Sequence, residues 1–230
     1  KVRIDAVTNS DFDAKGIKVD GKSPKIANNG ITLSSTGTTS ENINGGITYL
    51  REGTSLTVTV TTDEKVTVQG SPKFKLTNTE GTVVLPFAGI SVGASNSTIT
   101  FSKTIASEDK NGSLKYNPSD CIIDYDAIKD SYGNSLLLVM GSDVTANYFI
   151  DTNPPTAPAI TKENGSPLPA GNYTGSVKFK LTPAEGDTTI KKSQYSLDGG
   201  STWTDYPDSA AVPIKESKQL SSRSIDFAGN

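Results

Sequence analysis

Apolar and polar residues alternate along much of this chain with a period of two. Leu56-Thr57-Val58-Thr59-Val60-Thr61 and Val177-Lys178-Phe179-Lys180-Leu181 show the longest such runs, and Thr98-Ile99-Thr100-Phe101-Ser102 repeats the pattern. Val66-Thr67-Val68 and Phe74-Lys75-Leu76 are shorter examples. Alternation places the apolar side chains on one face of a strand and Thr or Lys on the other, as a half-buried antiparallel strand requires. Between the runs stand clusters such as Asn28-Asn29-Gly30 and Asn44-Gly45-Gly46, whose residues accept positive φ or bond back to their own backbone and so mark turns. No stretch of ten residues carries the i, i+3, i+4, i+7 spacing of a helix face. The pattern predicts an all-β fold of antiparallel strands.

Two short motifs recur and divide the chain. Val19-Asp20-Gly21-Lys22-Ser23-Pro24 and Ile150-Asp151-Thr152-Asn153-Pro154-Pro155 share an apolar strand end, an Asp, and a Pro four residues later. Proline fixes φ and removes a donor, so each ends a strand and stiffens a linker. Asp130-Ser131-Tyr132-Gly133-Asn134 and Asp226-Phe227-Ala228-Gly229-Asn230 both read Asp-x-x-Gly-Asn after an Ile two residues or one residue before; Ile4-Asp5-Ala6-Val7-Thr8-Asn9 is a weaker third copy. These repeats predict that residues 1–20 are the tail of a preceding unit, that 21–151 form one complete domain, and that 152–230 form a second. Leu136-Leu137-Leu138-Val139 is the expected last strand of the first domain, and the second is expected to lack its counterpart.

Hydrophobic residues make up 33% of the 230, too few for one thick α/β core but enough for thin two-layer cores. The net charge of −3 is mixed along the chain, leaving no footprint for nucleic acid or an anionic membrane. No run is long enough to span a membrane. One cysteine, Cys121, excludes an intrachain disulfide; it stands in the apolar run Cys121-Ile122-Ile123, where a small buried hydrophobe is expected. With no histidine, neither Ser-His-Asp nor Cys-His catalysis can be built from this chain. The pair Asp124 and Asp126, on one face if the segment is a strand, is the remaining candidate for acid chemistry, and a solvated acidic face is the plainer reading.

Residues 49–151 resemble a bacterial immunoglobulin-like repeat of large surface proteins and adhesins. The resemblance is carried by Tyr49-Leu50-Arg51-Glu52-Gly53, by Thr62-Asp63-Glu64-Lys65-Val66-Thr67-Val68-Gln69-Gly70-Ser71-Pro72, and by Ile128-Lys129-Asp130-Ser131-Tyr132-Gly133-Asn134. Residues 156–230 resemble a second bacterial immunoglobulin-like module through Gln194-Tyr195-Ser196-Leu197-Asp198-Gly199-Gly200 and Ser224-Ile225-Asp226-Phe227-Ala228-Gly229-Asn230. The resemblance implies tandem immunoglobulin-like β-sandwiches in an extracellular, non-enzymatic stalk or adhesive arm of a bacterial surface or secreted protein. Its partners would be neighbouring repeats of the parent chain and a host or carbohydrate ligand. The alternative is a carbohydrate-binding or accessory module of a secreted carbohydrate-active enzyme. Ser196-x-Asp198-x-Gly200-x-Thr202-Trp203 resembles the Asp-box of sialidases, a hairpin device in those families.

Two ligand sites follow as expectations. Immunoglobulin-like topology would bring Asp130 and Asn134 to linker Asp20, and Asp226 and Asn230 to linker Asp151, giving oxygen ligands of the kind calcium takes. Capping of each Asp's own turn is the competing reading. Trp203, Tyr206 and Tyr195 would form a sugar-stacking platform if they shared an open face.

Overall fold

The computed structural model describes residues 20–184, 189–207, 210–215 and 218–230. The described residues are all-β, with 51% in strands and 3% in helix. The expected tail strand in residues 1–20 and the third motif copy at Ile4–Asn9 lie outside the described residues, Asp20 excepted.

In the first unit, β1 (Ile26–Thr36), β2 (Ile43–Asn44), β3 (Ile47–Leu50), β4 (Ser55–Thr62), β5 (Thr67–Val68) and β6 (Lys73–Asn78) are followed by the long β7 (Gly81–Val92). Then come β8 (Ser97–Thr104), β9 (Gly112–Tyr116), β10 (Ile122–Ile123), β11 (Ile128–Lys129) and β12 (Val144–Ile150). One sheet runs β1-β4-β8-β7-β6-β9-β12-β3-β2, with β10 added beside β6. β7 bends it: Gly81–Pro86 pairs with β6, Phe87–Val92 pairs with β8, and the register shifts between Phe87 and Gly89. A bulge of this kind raises local twist and lets one strand serve two layers. The rings of Phe74 on β6 and Phe101 on β8 consequently meet at 5.8 Å across the core, although β7 separates their strands in the sheet.

The alternation in the sequence reads directly into burial. Leu56, Val58 and Val60 of β4 are fully buried, as are Ile99 and Phe101 of β8 and Phe74 and Leu76 of β6. The core is completed by Leu85, Leu114, Ile128 and Ile150. Cross-strand Thr57–Ser102 and Ser55–Thr104 hydroxyl pairs line the outer face of β4 and β8.

Leu136–Val139 is not the closing strand. Leu136 is buried, but Leu137 and Val139 are exposed, and the Leu136 and Leu137 amides bond the carbonyls of Ile128 and Pro24. The segment thus ties the Asp130 loop to the entering linker. The last strand is β12, which pairs antiparallel with β9 and parallel with β3. Positive φ at Asn147 accompanies an irregularity that breaks the clean alternation by which it could have been read.

Past Asp151 the second unit holds β13 (Ala159–Lys162), β14 (Val177–Thr182), β15 (Ile190–Ser196), β16 (Thr204–Asp205), β17 (Val212–Ile214) and β18 (Ser221–Asp226). They form two three-stranded sheets, β13-β14-β17 and β16-β15-β18. A separate, smaller core of Phe179, Leu181 and Tyr206 lies among Ile160, Leu168, Tyr195, Leu197, Val212, Ile214 and Leu220.

Candidate functional site at the unit junctions

The Asp-x-x-Gly-Asn motif forms a closed loop built around its Asp. Asp130 Oδ1 accepts from the amides of Tyr132 (2.8 Å) and Asn134 (2.9 Å), and Oδ2 accepts from the Asn134 side-chain amide at 2.8 Å. The backbone closes it further, with Asp130 N–H to Asn134 O at 3.1 Å. Gly133 stands at φ 91, a left-handed conformation that a Cβ would strain. The loop therefore fixes the Asn134 amide, whose remaining hydrogen reaches the carbonyl of Asp20 in the entering linker at 3.1 Å. Asp20 turns its own carboxylate onto the Lys22 amide at 2.9 Å, an Asx turn that starts the Pro24 segment.

The second unit repeats the device. Asp226 Oδ1 accepts from the Asn230 amide (2.8 Å), Oδ2 from the Asn230 side chain (3.0 Å), and Gly229 stands at φ 88. The Asn230 side chain donates to the carbonyl of linker Asp151 at 2.8 Å, and Asp151 receives the Asn153 amide at 3.3 Å. In both units one side chain, the motif Asn, binds the linker Asp carbonyl to the loop that closes the same unit.

The second loop also seats on the first unit. The Asn42 side chain donates to the carbonyls of Phe227 (2.9 Å) and Ala228 (3.0 Å), and Arg51 Nη1 donates to that of Gly229 at 3.0 Å. The Phe227 ring lies 5.6 Å from Tyr49, which in turn stacks against Phe149 at 5.3 Å. Lys191 pairs with Glu41 across the same boundary, which holds the Glu41 carboxyl below its ordinary pKa. Asn42 is itself set by a capping box with Thr39 on a short 3-10 turn, Ser40–Asn42. Asn111 binds the linker from the other side, accepting from the Thr152 amide at 3.0 Å.

Where the Asp20 segment meets the first unit, the carboxylates of Asp20 and Asp130 are joined by Glu64, their oxygens lying within 4.8 Å of one another. The turn that presents Glu64 is pinned by Thr62 Oγ1, which donates to the Glu64 carbonyl at 2.6 Å. Burial raises the pKa of Asp130, yet the donors from Asn134, Tyr132 and Gly133 outweigh it and the net shift is downward. Both oxygens of Asp130 and of Asp226 already receive N–H donors, so these carboxylates cap their own loops. Lys22 stands within 3.6 Å of Glu64 and 3.5 Å of Asp63, adding a positive charge beside the acidic group. Among the described residues no third acidic side chain joins Asp151 and Asp226 in such a group.

The other sequence candidates fall elsewhere. Ser196–Trp203 forms a tight hairpin turn in which Asp198 accepts from the Thr202 amide (2.9 Å) and hydroxyl (2.6 Å) and from Ser196 Oγ (2.7 Å). The Thr202 hydroxyl and amide and the Ser196 hydroxyl together hold the Asp198 carboxyl well below the usual carboxylate range. Trp203 carries the Arg223 guanidinium 4.2 Å over its ring. Tyr195 and Tyr206 turn inward onto Phe179, at 5.4 and 6.5 Å, so the three aromatics share no open platform. Asp124 and Asp126 do not share a strand face: Asp124, at φ 57, precedes the 3-10 turn Tyr125–Ala127 without a capping hydrogen bond from its side chain, and Asp126 lies within that turn. Cys121 is fully buried, and desolvation pushes its thiol pKa up to about 12.

Sequence reasoning missed Glu64, Asn42 and Arg51. The last two lie inside or beside the Tyr49 motif, but nothing in their spacing reveals that they face a loop 185 residues away. Compared with known proteins, the chain matches no protein-family model and has no significant match among curated sequences. Among the described residues no helix is long and apolar enough to cross a membrane.

Proposed function

We propose that this chain is part of a non-catalytic extracellular spacer of a bacterial surface or secreted protein, made of immunoglobulin-like β-sandwich units held in fixed succession. The observation that carries the reading is the recurrence of one clamp. Both linkers enter their units under the same Asp-x-x-Gly-Asn loop, and the second loop also seats on the unit before it. A short Pro-bearing linker stiffened in this way transmits orientation from unit to unit, which a spacer needs and a freely jointed chain lacks. Neighbouring repeats of the parent chain are the expected partners.

The carbohydrate-module alternative draws no support from the aromatic residues, since Tyr195 and Tyr206 are used in the core. The test is the relative orientation of the two units in dilute solution, from residual dipolar couplings and small-angle scattering. A single alignment tensor for both units is expected, and Arg51→Ala with Phe227→Ala should split it. Independent tumbling of the units in the wild-type chain would sink the reading.

A further inference from the structure

The outer face of the β16-β15-β18 sheet carries a row of polar side chains that the unit junctions do not use. Asp205, Gln194 and Arg223 stand opposite one another on the three strands, and Arg223 lies in the middle of β18. This is the broad side of the second unit, away from the linker at its end. Lys192 meets Asp205 at 3.0 Å, and the Gln194 side-chain amide donates to the same carboxylate. Gln194, only 8% exposed, turns its side-chain oxygen to Arg223, whose Nε donates to it at 2.8 Å. The guanidinium thus leans back over β15, and it lies 4.2 Å from the centre of the Trp203 ring.

One hydrogen bond and one ring face therefore fix a guanidinium on an exposed residue. A long side chain in solvent ordinarily keeps its rotamer freedom. Arginine donates in a rigid planar fork, and with Nε–H taken by Gln194 the N–H groups of both Nη atoms remain. Among the described residues no carboxylate pairs with Arg223. The nearest acid in the row does not neutralise it: Gln194 and Lys192 hold the Asp205 carboxyl below its ordinary pKa, and its charge is matched by the Lys192 ammonium. A guanidinium held still by a buried amide and an aromatic ring, with its outer N–H pair turned to water, has the build of a receptor for a planar anion.

We propose that Arg223 binds the carboxylate of an acidic saccharide, of the uronic acid class, on the broad side of the second unit. The two oxygens of a carboxylate match the two outer N–H groups of the fork. A peptide acid fits the place less well. Peptides are held through a free sheet edge, a groove or a backbone nest. Here the backbones of β15 and β18 are spent on each other, and the guanidinium leans away from the free side of β18. A saccharide needs no backbone partner, and Asp205 and Lys192 stand beside the fork for its ring hydroxyls. The site is carried by Arg223 rather than by an aromatic platform, and it holds whether or not the units act as a spacer.

Titration of the full chain with oligogalacturonate tests the proposal, in about 0.15 M salt so that attraction beyond about 8 Å is screened. Ligand is taken to about 10 mM, which covers the order of 1 mM expected of one exposed contact. Binding is read from the fluorescence of Trp203, the one tryptophan of the chain, and from the backbone amide resonances of β15 and β18. A saturable change in both is expected, and none with the methyl-esterified oligomer, which keeps the sugar and loses the charge. Arg223→Lys keeps the charge but not the fork and should weaken binding about tenfold. Lys178→Ala, which removes an exposed cation from the other sheet, should leave binding unchanged. No saturable change in the wild-type chain, equal binding of the ester, or unchanged binding by Arg223→Lys would overturn the site. Equal weakening by Lys178→Ala would reduce it to diffuse charge attraction, and equally tight binding of oligoglutamate would overturn the saccharide assignment.

Discussion

Asn134→Ala tests the clamp most directly. The Asn134 side chain links the Asp130 carboxylate to the Asp20 carbonyl, at 2.8 and 3.1 Å. The neutral bond to the linker carbonyl contributes about 1 kcal/mol net. In a domain of this size such a loss lowers Tm by about 3–5 °C. Removing a donor from the Asp130 carboxylate, in a residue only 6% exposed, adds to that fall. Thermal unfolding of the full chain by circular dichroism or calorimetry reads the effect. Asn134→Asp sharpens the test, since it keeps the shape and sets two carboxylates against each other. At neutral pH it should melt below the Ala variant, and the gap should close as pH falls through the raised pKa that such a pair shares. Melting of Asn134→Ala within about 1 °C of wild type, on an effect sized from the net hydrogen-bond value, would refute the clamp argument.

The Asp198 hairpin carries its own pH dependence. A folded-state pKa held below the unfolded value gives stability that is present above the unfolded carboxylate pKa, about 3.9, and lost as pH falls through the lower folded value. Asp198→Asn should therefore flatten the acid limb of the second unit's melting profile, and an unchanged limb would contradict the assignment. Cys121, buried with its thiol pKa near 12, is expected to resist thiol reagents at about pH 8 until the chain is denatured; labelling of the folded chain would show that the site opens. Melting is expected to be the same in about 1 mM calcium and in chelator, because both oxygens of Asp130 and of Asp226 already accept N–H donors, while Glu64 Oε1, which has no hydrogen-bond partner among the described residues, is faced by the Lys22 ammonium at 3.6 Å. A rise of several degrees that Glu64→Gln or Asp20→Ala removes would show instead that the Asp20, Glu64 and Asp130 group holds the ion.

Alternation, turn residues and internal repetition are local properties, and they were legible without a structure. Leu56–Thr61 and Thr98–Ser102 became neighbouring strands with their apolar positions at 0% exposure, because a period of two admits only one way to bury one face. The Asp-x-x-Gly-Asn loops were equally readable, since an Asp that caps amides four residues on and a Gly at positive φ are decided within five residues. What failed was what depended on distant chain. Leu136–Val139 reads as a strand by composition, but the Pro24 carbonyl and the Ile128 carbonyl claim its amides and leave alternate side chains in solvent. Val144–Ile150 hides because Asn147 breaks its pattern. Tyr195 and Tyr206 look available beside Trp203 until the second sheet supplies Phe179, against which both rings pack. The sequence by itself determined the cleanly alternating strands and the turn chemistry of the Asp-x-x-Gly-Asn loops, through interactions a few residues long. Tertiary structure alone decided that Glu64 joins Asp20 and Asp130 and that Asn42 and Arg51 receive the Phe227 loop, because those contacts join segments whose separation along the chain leaves no periodic trace.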